Sequence, residues 1–326
     1  MYQPKPLYKL LDWIDINELD WDGLFGLSSN PNAIHLLETN PDKINWKILS
    51  RNPNAIHLLE ANPDKIDWFR VSSNPNAIHL LEANPDKIHW GRLYGNPNAI
   101  HLLEANPDKI NWASWRNLST NPNAIPILEK NLDKIDWILL SGNPNAIHLL
   151  EQNQDKIDWI LLSGNPNAIH LLEKNLHKIN WPYLSLNRNP DAIHLLEKNP
   201  DKINWYWLST NPNAIHLLEA NPDNIDWFCV SSNPNAIHLL EANPDKIDWE
   251  CLSRNPNAIH LLEKNPDKIH WSKLSRNPCI FELDYDALKE RCNIYKEELT
   301  QKAFHPSRIQ KYLDMGISID ELDDYI

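Results

Sequence analysis

Glycine is scarce in this chain, at seven residues in 326, and cysteine and methionine are scarcer still, at four and two. So few glycines exclude the glycine-rich phosphate loops, dinucleotide-binding turns and nucleophile elbows on which many enzymes depend. Four cysteines do not make a disulfide framework in a chain of this length. We therefore expect reduced thiols, an intracellular and reducing environment, and no enzyme activity.

Basic residues are outnumbered, since 31 Lys and Arg face 44 Asp and Glu and give a formal net charge of -13. Recognition of a nucleic-acid backbone needs clustered Lys and Arg, so this balance argues against a nucleic-acid partner. No apolar run is long enough to cross a membrane, and the opening residues MYQPKPLYKLLDW lack the pattern of a secretory leader. We expect no membrane partner either.

One phrase of 22 residues fills most of the chain, as in NPNAIHLLEANPDKIDW at 52–68. Apart from one step of 25 and one of 24, its copies begin every 22 residues, at Asn30, Asn52, Asn74, Asn96, Asn121, Asn143, Asn165, Asn189, Asn211, Asn233 and Asn255, with a degenerate copy at Asn277. A matching tryptophan ladder comprises Trp46, Trp68, Trp90, Trp112, Trp137, Trp159, Trp181, Trp205, Trp227, Trp249 and Trp271. A unit this short cannot bury an apolar face alone, so neighbouring repeats must stack.

The first half of each repeat predicts a helix. In the copy at 52–73, Asn52 suits the N-cap, Pro53 suits the first helical position, and the apolar residues that follow have helical spacing. The phrase NPDK then has the chemistry of a tight turn. Its asparagine stays in the copies that lose the proline, so we expect this side chain to cap the end of the helix or to allow a left-handed conformation.

The second half of each repeat predicts a shorter helix, from Asp67 to Ser72 in the same copy. The residue before each tryptophan is Asn, Asp or His, and the first two are good N-cap residues. Pro182 is tolerated in the first turn of a helix capped by Asn180, whereas in a helix interior it would cost about 3 kcal/mol. We expect each ladder tryptophan to be buried, and Trp159→Ala to cost about 3–5 kcal/mol.

These elements predict an all-α fold, an elongated α-solenoid of about eleven to twelve helix–turn–short-helix repeats with N- and C-terminal caps. We expect an N-terminal cap at 1–29 that is itself a degenerate repeat, the repeat array at 30–276, and a C-terminal helical cap or tail at 277–326. The two longer steps are interpreted as insertions between a tryptophan and the next NP. A parallel β-helix is the structural alternative, but AIHLLEA lacks strand alternation, and two prolines per turn would disrupt strand ladders.

Two motifs resemble proteins of giant DNA viruses. The tandem NPNAIHLLE and NPDKI(N/D)W phrase resembles repeat proteins encoded by the mimivirus-like viruses of amoebae. The C-terminal YKEELTQKAFHPSRIQKYLDMG resembles a tail that follows various domains in such viral proteins. Together the two resemblances cover nearly the whole chain. They imply residence in the host cytoplasm or in a virion, and they imply little about activity.

Two ladders of identical polar side chains could carry chemistry. The histidines of IHLLE might suggest metal ligation, but stacked copies lie about 10 Å apart, too far to share one ion at metal–nitrogen distances of about 2 Å. The glutamates that follow them could suggest acid–base work, yet an active site would break the symmetry of the repeats. We therefore expect no catalytic residue, no metal and no cofactor, and we interpret both ladders as solvated positions copied by duplication.

The residues that differ between copies indicate a partner surface. The two residues after each tryptophan vary, and the longest insertion adds a Trp and an Arg. Tyr, Trp and Arg are common binding hot spots. We predict partner-binding residues at Phe69, Arg70, Arg92, Trp115, Arg116, Tyr183, Tyr206, Trp207 and Phe228. Neutral drift and compensating repacking of the core are the alternatives.

We expect a non-enzymatic protein–protein interaction scaffold that binds a host or viral protein along its repeat surface. A structural virion component, such as a minor capsid protein or spacer, is the alternative. A nucleic-acid reader with one base per repeat is disfavoured by the charge and by the apolar pairs Ile138–Leu139 and Ile160–Leu161 at its reading positions. The oligomeric state stays open.

Overall fold

The computed structural model describes residues 8–21, 23, 26–111 and 113–315, and these form the predicted all-α repeat fold. Each repeat contains a first helix, a 3-10 turn helix and a second helix. The first helices span Ile34–Glu38, Ile56–Ala61, Ile78–Ala83, Ile100–Ala105, Ile125–Glu129, Ile147–Gln152, Ile169–Glu173, Pro190–Glu197, Ile215–Ala220, Ile237–Ala242 and Ile259–Glu263. The turn helices span Pro41–Lys43, Pro63–Lys65, Pro85–Lys87, Pro107–Lys109, Leu132–Lys134, Gln154–Lys156, Leu176–Lys178, Pro200–Lys202, Pro222–Asn224, Pro244–Lys246 and Pro266–Lys268. The second helices span Trp46–Leu49, Trp68–Val71, Trp90–Leu93, Ser114–Thr120, Trp137–Ser141, Trp159–Ser163, Trp181–Leu186, Trp205–Ser209, Trp227–Ser231, Trp249–Ser253 and Trp271–Leu274, and three further 3-10 helices span Leu27–Ser29, Pro256–Ala258 and Pro278–Ile280.

The second helices begin where the sequence predicts. The carboxylate of Asp67 caps its helix by accepting a hydrogen bond from the backbone N–H of Arg70 at 2.9 Å. At the other end, the hydroxyl of Ser72 donates to the backbone carbonyl of Trp68 at 2.7 Å. Pro182 lies in the first turn of its helix, where no N–H is required. Side chains at both ends therefore define a helix of little more than one turn.

Apart from Pro190–Glu197, which Asn189 caps as predicted, the first helices begin later than predicted, and Asn52 is not the N-cap of its helix. Its Oδ1 accepts the N–H of Asn54 at 3.1 Å in a tight turn, and the helix begins at Ile56. Its amide Nδ2 reaches into the preceding repeat, where it donates to the carbonyls of Ser28 at 3.3 Å and Asn30 at 3.0 Å. Because Asn52 is only 2% exposed, its amide needs partners inside the protein. This asparagine therefore links repeats rather than starting a helix.

The NPDK phrase forms a turn of 3-10 helix, and its asparagine caps the helix before it. The amide of Asn62 donates to the carbonyl of Leu58 at 2.9 Å, which satisfies one of the carbonyls left without a partner at a helix end. Its φ of -135° is not left-handed. Of the two predicted roles for this asparagine, capping is confirmed and the left-handed conformation is not used.

One repeat is in a different register from the one predicted. Asn187, not Asn189, is the repeat-linking asparagine, because its amide donates to the carbonyls of Ser163 at 3.0 Å and Asn165 at 3.1 Å. The two extra residues therefore lie inside the NP phrase, and they lengthen the first helix there to Pro190–Glu197. The prediction that this insertion lies between a tryptophan and the next NP is wrong.

The tryptophan ladder also changes place in the repeat that begins at Asn96. Trp115 holds the ladder position, since the hydroxyl of Ser119 donates to its carbonyl at 2.7 Å, and Trp115 is only 7% exposed. Trp112, the predicted ladder residue, lies outside the described residues. The insertion thus precedes the helix Ser114–Thr120 instead of following the ladder tryptophan. Residue type does not distinguish Trp112 from Trp115 as the ladder residue. Ser119 follows Trp115 by four residues, which is the spacing between tryptophan and serine in other repeats, such as Trp68 and Ser72.

The stack of repeats closes on itself. The amide of Asn30, in the first repeat, donates to the carbonyls of Ser275 and Asn277, each at 3.0 Å. The same pair of bonds is made to the preceding repeat by Asn52, Asn74, Asn96, Asn121, Asn143, Asn165, Asn187, Asn211, Asn233, Asn255 and Asn277. The unit at 12–280 is therefore a ring of twelve repeats, and the prediction of an elongated stack is wrong.

The twelfth repeat is assembled from both ends of the ring. It begins with residues 277–280, and residues 12–29 supply the rest. The N–H of Asp20 donates to Ser275 Oγ at 2.8 Å, and the hydroxyl of Ser272 donates to the Asp20 carboxylate at 3.1 Å. Asp20 and Ser275 are separated by 255 positions in the chain. No periodicity read along the sequence could have indicated that its two ends complete one repeat.

Leucine and alanine, rather than tryptophan, form the fully buried core. In one repeat, Ala146, Leu150 and Leu162 are completely buried, whereas Trp159 is only partly so. The ammonium of Lys178, from the next turn helix, lies 4.6 Å from the centroid of the Trp159 ring. Lysines cover other ladder rings in the same way, namely Trp21, Trp46, Trp68, Trp115, Trp137, Trp227 and Trp249. The ladder tryptophans are less buried than predicted, because most of their rings are partly exposed to solvent.

A second unit comprises residues 8–11 and 281–315. The strands Tyr8–Leu10 and Phe281–Leu283 pair in an antiparallel two-stranded sheet. The helices Tyr285–Ala303 and Pro306–Asp314 follow, in agreement with the two helices expected of a C-terminal tail. The cap boundaries drawn from the sequence, after residues 29 and 276, stay a prediction.

Candidate functional site

The histidine and glutamate ladders pair with each other between repeats. Nε2 of His79 lies 2.7 Å from Oε1 of Glu60, and Nε2 of His260 lies 2.8 Å from Oε1 of Glu241. The same contact joins His57–Glu38, His101–Glu82, His148–Glu129, His170–Glu151, His216–Glu197 and His238–Glu219. Most of these side chains are about half exposed, so each pair contributes at most about 1 kcal/mol. The interpretation as separately solvated ladders missed this pairing.

Two glutamates, Glu38 and Glu197, each contact two histidines. Glu197 lies 2.9 Å from Nδ1 of His194 in its own helix and 2.8 Å from Nε2 of His216 in the next repeat. These hydrogen bonds, first with His194 and then with His216, hold the pKa of Glu197 below its usual value of 4.5. The cluster is exposed and closely resembles its neighbours, so its chemistry is that of a clasp between repeats.

The geometry of the described residues does not indicate a metal site or a reactive thiol. Within the described ranges, no group of three or more His, Cys, Asp and Glu side chains is placed to hold a metal ion. All four cysteines are free. Burial raises the pKa of Cys229 to about 11 and that of Cys251 to about 12. Both thiols therefore stay protonated at neutral pH and are poor nucleophiles.

Shallow clefts recur where neighbouring turn helices meet. One, of about 290 Å³, is lined by Trp249, Pro244 and Lys268 among others. Its counterpart beside Trp115 measures about 450 Å³ and is lined by the equivalent proline and lysines. An active site needs a constellation that the other repeats lack, and these clefts reproduce the repeat pattern.

The residues predicted to bind a partner fall into two groups. Phe69, Tyr183, Tyr206, Trp207 and Phe228 are exposed. Trp115 is buried, because it holds a ladder position, and its role in partner binding stays a prediction. The sequence offered two tryptophans for one ladder place, and Trp115 was assigned to the partner surface instead.

The three predicted arginines lie on the same edge of the ring, and each has a neighbour. Arg70 pairs with its own cap, Asp67, at 3.2 Å. The guanidinium of Arg92 lies 4.2 Å from the centroid of the Phe69 ring, in the preceding repeat. Arg116 reaches the cap of the following repeat at 3.5 Å. Arg92 and Arg116 therefore contact residues of neighbouring repeats, whereas Arg70 pairs within its own repeat.

Five consecutive repeats, which begin at 121, 143, 165, 187 and 211, present exposed apolar side chains on their second helices. We call this surface the apolar arc, and it comprises Ile138, Ile160, Tyr183, Tyr206, Trp207 and Phe228. The rings of Tyr206 and Trp207 meet edge to face with centroids 5.0 Å apart. A hydrogen bond with Cys229, in the next repeat, raises the pKa of Tyr206. From the ladder tryptophan to the fifth residue after it, none of these five repeats has a charged residue.

Six of the other seven repeats carry basic residues in the same segments, and the twelfth, at 21–26, carries none. We call this surface the basic arc, and it comprises Lys47, Arg51, Arg70, Arg92, Arg116, Arg254, Lys273 and Arg276. The single acidic residue among the described residues of these segments is Glu250, which lies 3.3 Å from Lys273. The second helices of the ring are thus divided into an apolar part and a basic part.

Sequence reasoning found only part of these two surfaces. Ile138 and Ile160 were noticed, but as evidence against nucleic acid. Arg51, Arg254 and Arg276 were missed because only two positions after each tryptophan were compared, although the fifth also varies. The members of the basic arc come from opposite ends of the repeat array, and ring closure brings these two groups to either side of the twelfth repeat, whose segment 21–26 has no Lys or Arg.

Comparisons with other proteins do not identify a function for this surface. No known family, curated protein or solved structure matches the chain. None of the described helices is both long and apolar enough to span a membrane. The two arcs must therefore be interpreted from their own chemistry.

Proposed function

We propose that this chain is a non-enzymatic protein–protein interaction scaffold of a giant virus, whose protein partner binds along the apolar arc. The observation that supports it is the arc itself, whose side chains are 38–59% exposed in consecutive repeats. Their exposed area is on the order of 500 Å², which is large for a surface patch on a monomer. The viral origin, and with it a place in the host cytoplasm or a virion, has the resemblance of the repeat phrase and the tail as its support.

A structural virion component is the alternative. A spacer or cementing strip depends on an extended array, and a closed ring offers no such length. An enzyme would need a constellation that departs from the repeat pattern, and we find none in the described part of the chain. Proteomics of purified particles separates the remaining roles, because a high copy number supports the structural one.

The proposed function is tested by affinity capture from infected cells with three matched baits. One bait is the wild type, and one carries Ile138→Ser, Ile160→Ser and Phe228→Ser in the apolar arc. The control carries Leu132→Ser and Leu176→Ser, which are exposed on turn helices outside the arc. We expect a protein that the wild type and the control retain and the arc variant loses. Equal retention by all three baits, each with native circular dichroism, would contradict the proposal.

A further inference from the structure

We infer that the partner of the apolar arc is an acidic polypeptide segment, with apolar side chains at its centre and Asp and Glu toward both ends. This inference rests on the proposed function, because it specifies the partner of the same surface. The observation that carries it is the basic arc, which the closed ring places next to the apolar arc on both sides.

The two borders between the arcs can be located by residue. Arg116 belongs to the repeat directly before that of Ile138, and its 3.5 Å contact with Asp136 crosses the junction between them. Arg254 belongs to the repeat directly after that of Phe228. A partner that covers the apolar arc and extends past either end of it therefore meets a guanidinium.

The charge of the basic arc opposes that of the rest of the chain. Among the described residues of these segments, eight basic residues and the acidic Glu250 leave seven positive charges, in a chain whose net charge is -13. Lys47, Arg51 and Arg254 make no ion pair with another described side chain. Only Arg254 of these three lies in a repeat next to the apolar arc. An unpaired positive group there favours a negatively charged partner, because complementary charge speeds association and suppresses wrong partners.

The cap aspartates beside the apolar arc do not reverse this preference. Asp136, Asp158 and Asp226 each accept a backbone N–H three residues ahead, at 2.8–3.1 Å. They are only partly exposed, and Asp136 also meets Arg116. Their carboxylates thus interact mainly with backbone N–H groups of their own helices, whereas most members of the basic arc are exposed to solvent.

The separation of the two arcs favours a polypeptide over other anionic partners. A single-stranded nucleic acid needs basic groups along the same path as the rings on which its bases stack, and these five repeats have none in that segment. A membrane-bound face inserts its apolar side chains about 5–10 Å into the lipid. Tyr183 and Trp207, at 39% and 38% exposure, lie against the ring instead of standing clear of it.

The length of the apolar arc sets the length of the segment. Five stacked repeats at about 8–10 Å each span about 40–50 Å. A helix covers that distance with roughly 30 residues at about 1.5 Å per residue. A peptide of this length, with acidic ends, is therefore a suitable probe for the whole surface.

The test measures binding of three labelled synthetic peptides of about 30 residues to the full chain by fluorescence anisotropy. The first has an apolar centre and Glu and Asp ends, and the second replaces the acidic ends with Lys. The third has the composition of the first but places the acidic residues at the centre. We expect the first peptide to bind at least about tenfold more tightly than either control at low salt, and this advantage to shrink as salt screens the charges.

Charge-reversal variants assign the effect to the basic arc. Arg92→Glu with Arg254→Glu changes one residue near each border, and we expect at least a tenfold loss of affinity for the first peptide. Lys130→Glu with Lys264→Glu makes the same change in net charge on exposed lysines after the first helices, and we expect little loss. Equal losses in the two variants would show a general effect of net charge and would overturn the inference.

Other results separate this inference from the proposed function. Equal binding of the acidic-ended and Lys-ended peptides, still abolished by Phe228→Ser, overturns the inference alone. Binding of a single-stranded RNA or of phosphatidylserine vesicles in preference to the acidic peptide overturns the assignment to a polypeptide. Binding of no peptide, or binding that the apolar-arc variant leaves unchanged, contradicts both proposals.

Discussion

Asn30 and Asn277 lie 247 positions apart in the chain, yet the side-chain amide of the first donates to the backbone carbonyl of the second at 3.0 Å. Asn52 makes the same bond to Asn30, also at 3.0 Å. Closure therefore uses a contact that is already present at every other junction. An open solenoid needs capping repeats with a polar outer face, whereas in this ring each repeat has a neighbour on both sides.

The repeat-linking asparagines should be among the most costly residues to replace. Asn143→Ala removes the side-chain donor to the carbonyl of Ser119 and one of the two donors to the carbonyl of Asn121, and an unsatisfied buried group costs about 1–3 kcal/mol. We expect a loss of about 2–4 kcal/mol in the free energy of unfolding, measured by urea denaturation. Asn145→Ala, at an exposed position with one bond to Pro122, should lose less than about 1 kcal/mol. Similar losses for the two variants would show that burial does not set their energies.

A ladder tryptophan should matter less than a smaller, fully buried leucine in the same helix. Leu162→Ala removes a completely buried side chain and leaves a closed cavity, which typically costs about 2–5 kcal/mol. Trp159→Ala removes a ring that lies partly in solvent under Lys178, so the space it leaves is open to water. We expect a smaller loss than for Leu162→Ala in thermal or urea unfolding. A larger loss for Trp159→Ala would restore the prediction of a buried ladder.

The double histidine clasp on Glu197 should make a small, acid-sensitive contribution to stability. Its pKa is lowered in the folded chain, so the stabilisation is fully present above the usual value of about 4.5 and is lost as pH falls through the lower folded value. We expect Glu197→Gln to destabilise the ring by no more than about 1 kcal/mol at neutral pH, and the difference from the wild type to shrink below pH 4.5. Glu263→Gln, which pairs with no described histidine, is the control. A difference that grew as pH fell would contradict the assigned direction.

The periodicity of the sequence predicted the repeat unit well, because local chemistry determines it. The residue before each tryptophan identified the start of the second helix, and Asp67 caps it as expected. Asn52 was predicted to cap a helix, but it links two repeats. Asparagine suits both roles, so the residue type does not distinguish them. Only its burial, at 2% exposure, distinguishes the two roles.

The ring and its two arcs could not be predicted from local patterns. Closure depends on the small rotation between neighbouring repeats accumulating to a full turn, and no single residue encodes that angle. Residues 12–29 were recognised as a degenerate repeat, but their partner, the incomplete repeat at 277–280, lies at the far end of the array. The apolar arc was visible in the sequence as Ile138, Ile160 and Phe228, whereas the two groups of basic repeats beyond its borders come to either side of the twelfth repeat only in the closed ring.

Closure of the repeats into a ring is the central claim about the fold, and a distance between two spin labels tests it directly. With the four native cysteines changed to serine, labels are placed at His35→Cys and His260→Cys, and in a control at His216→Cys and His260→Cys. The first pair is two repeats apart through the closing junction, and the control pair is two repeats apart along the array. We predict mean distances of about 20 Å for both pairs by pulsed electron paramagnetic resonance. A distance on the order of 80–100 Å for the first pair, as ten stacked repeats would give, would contradict the ring.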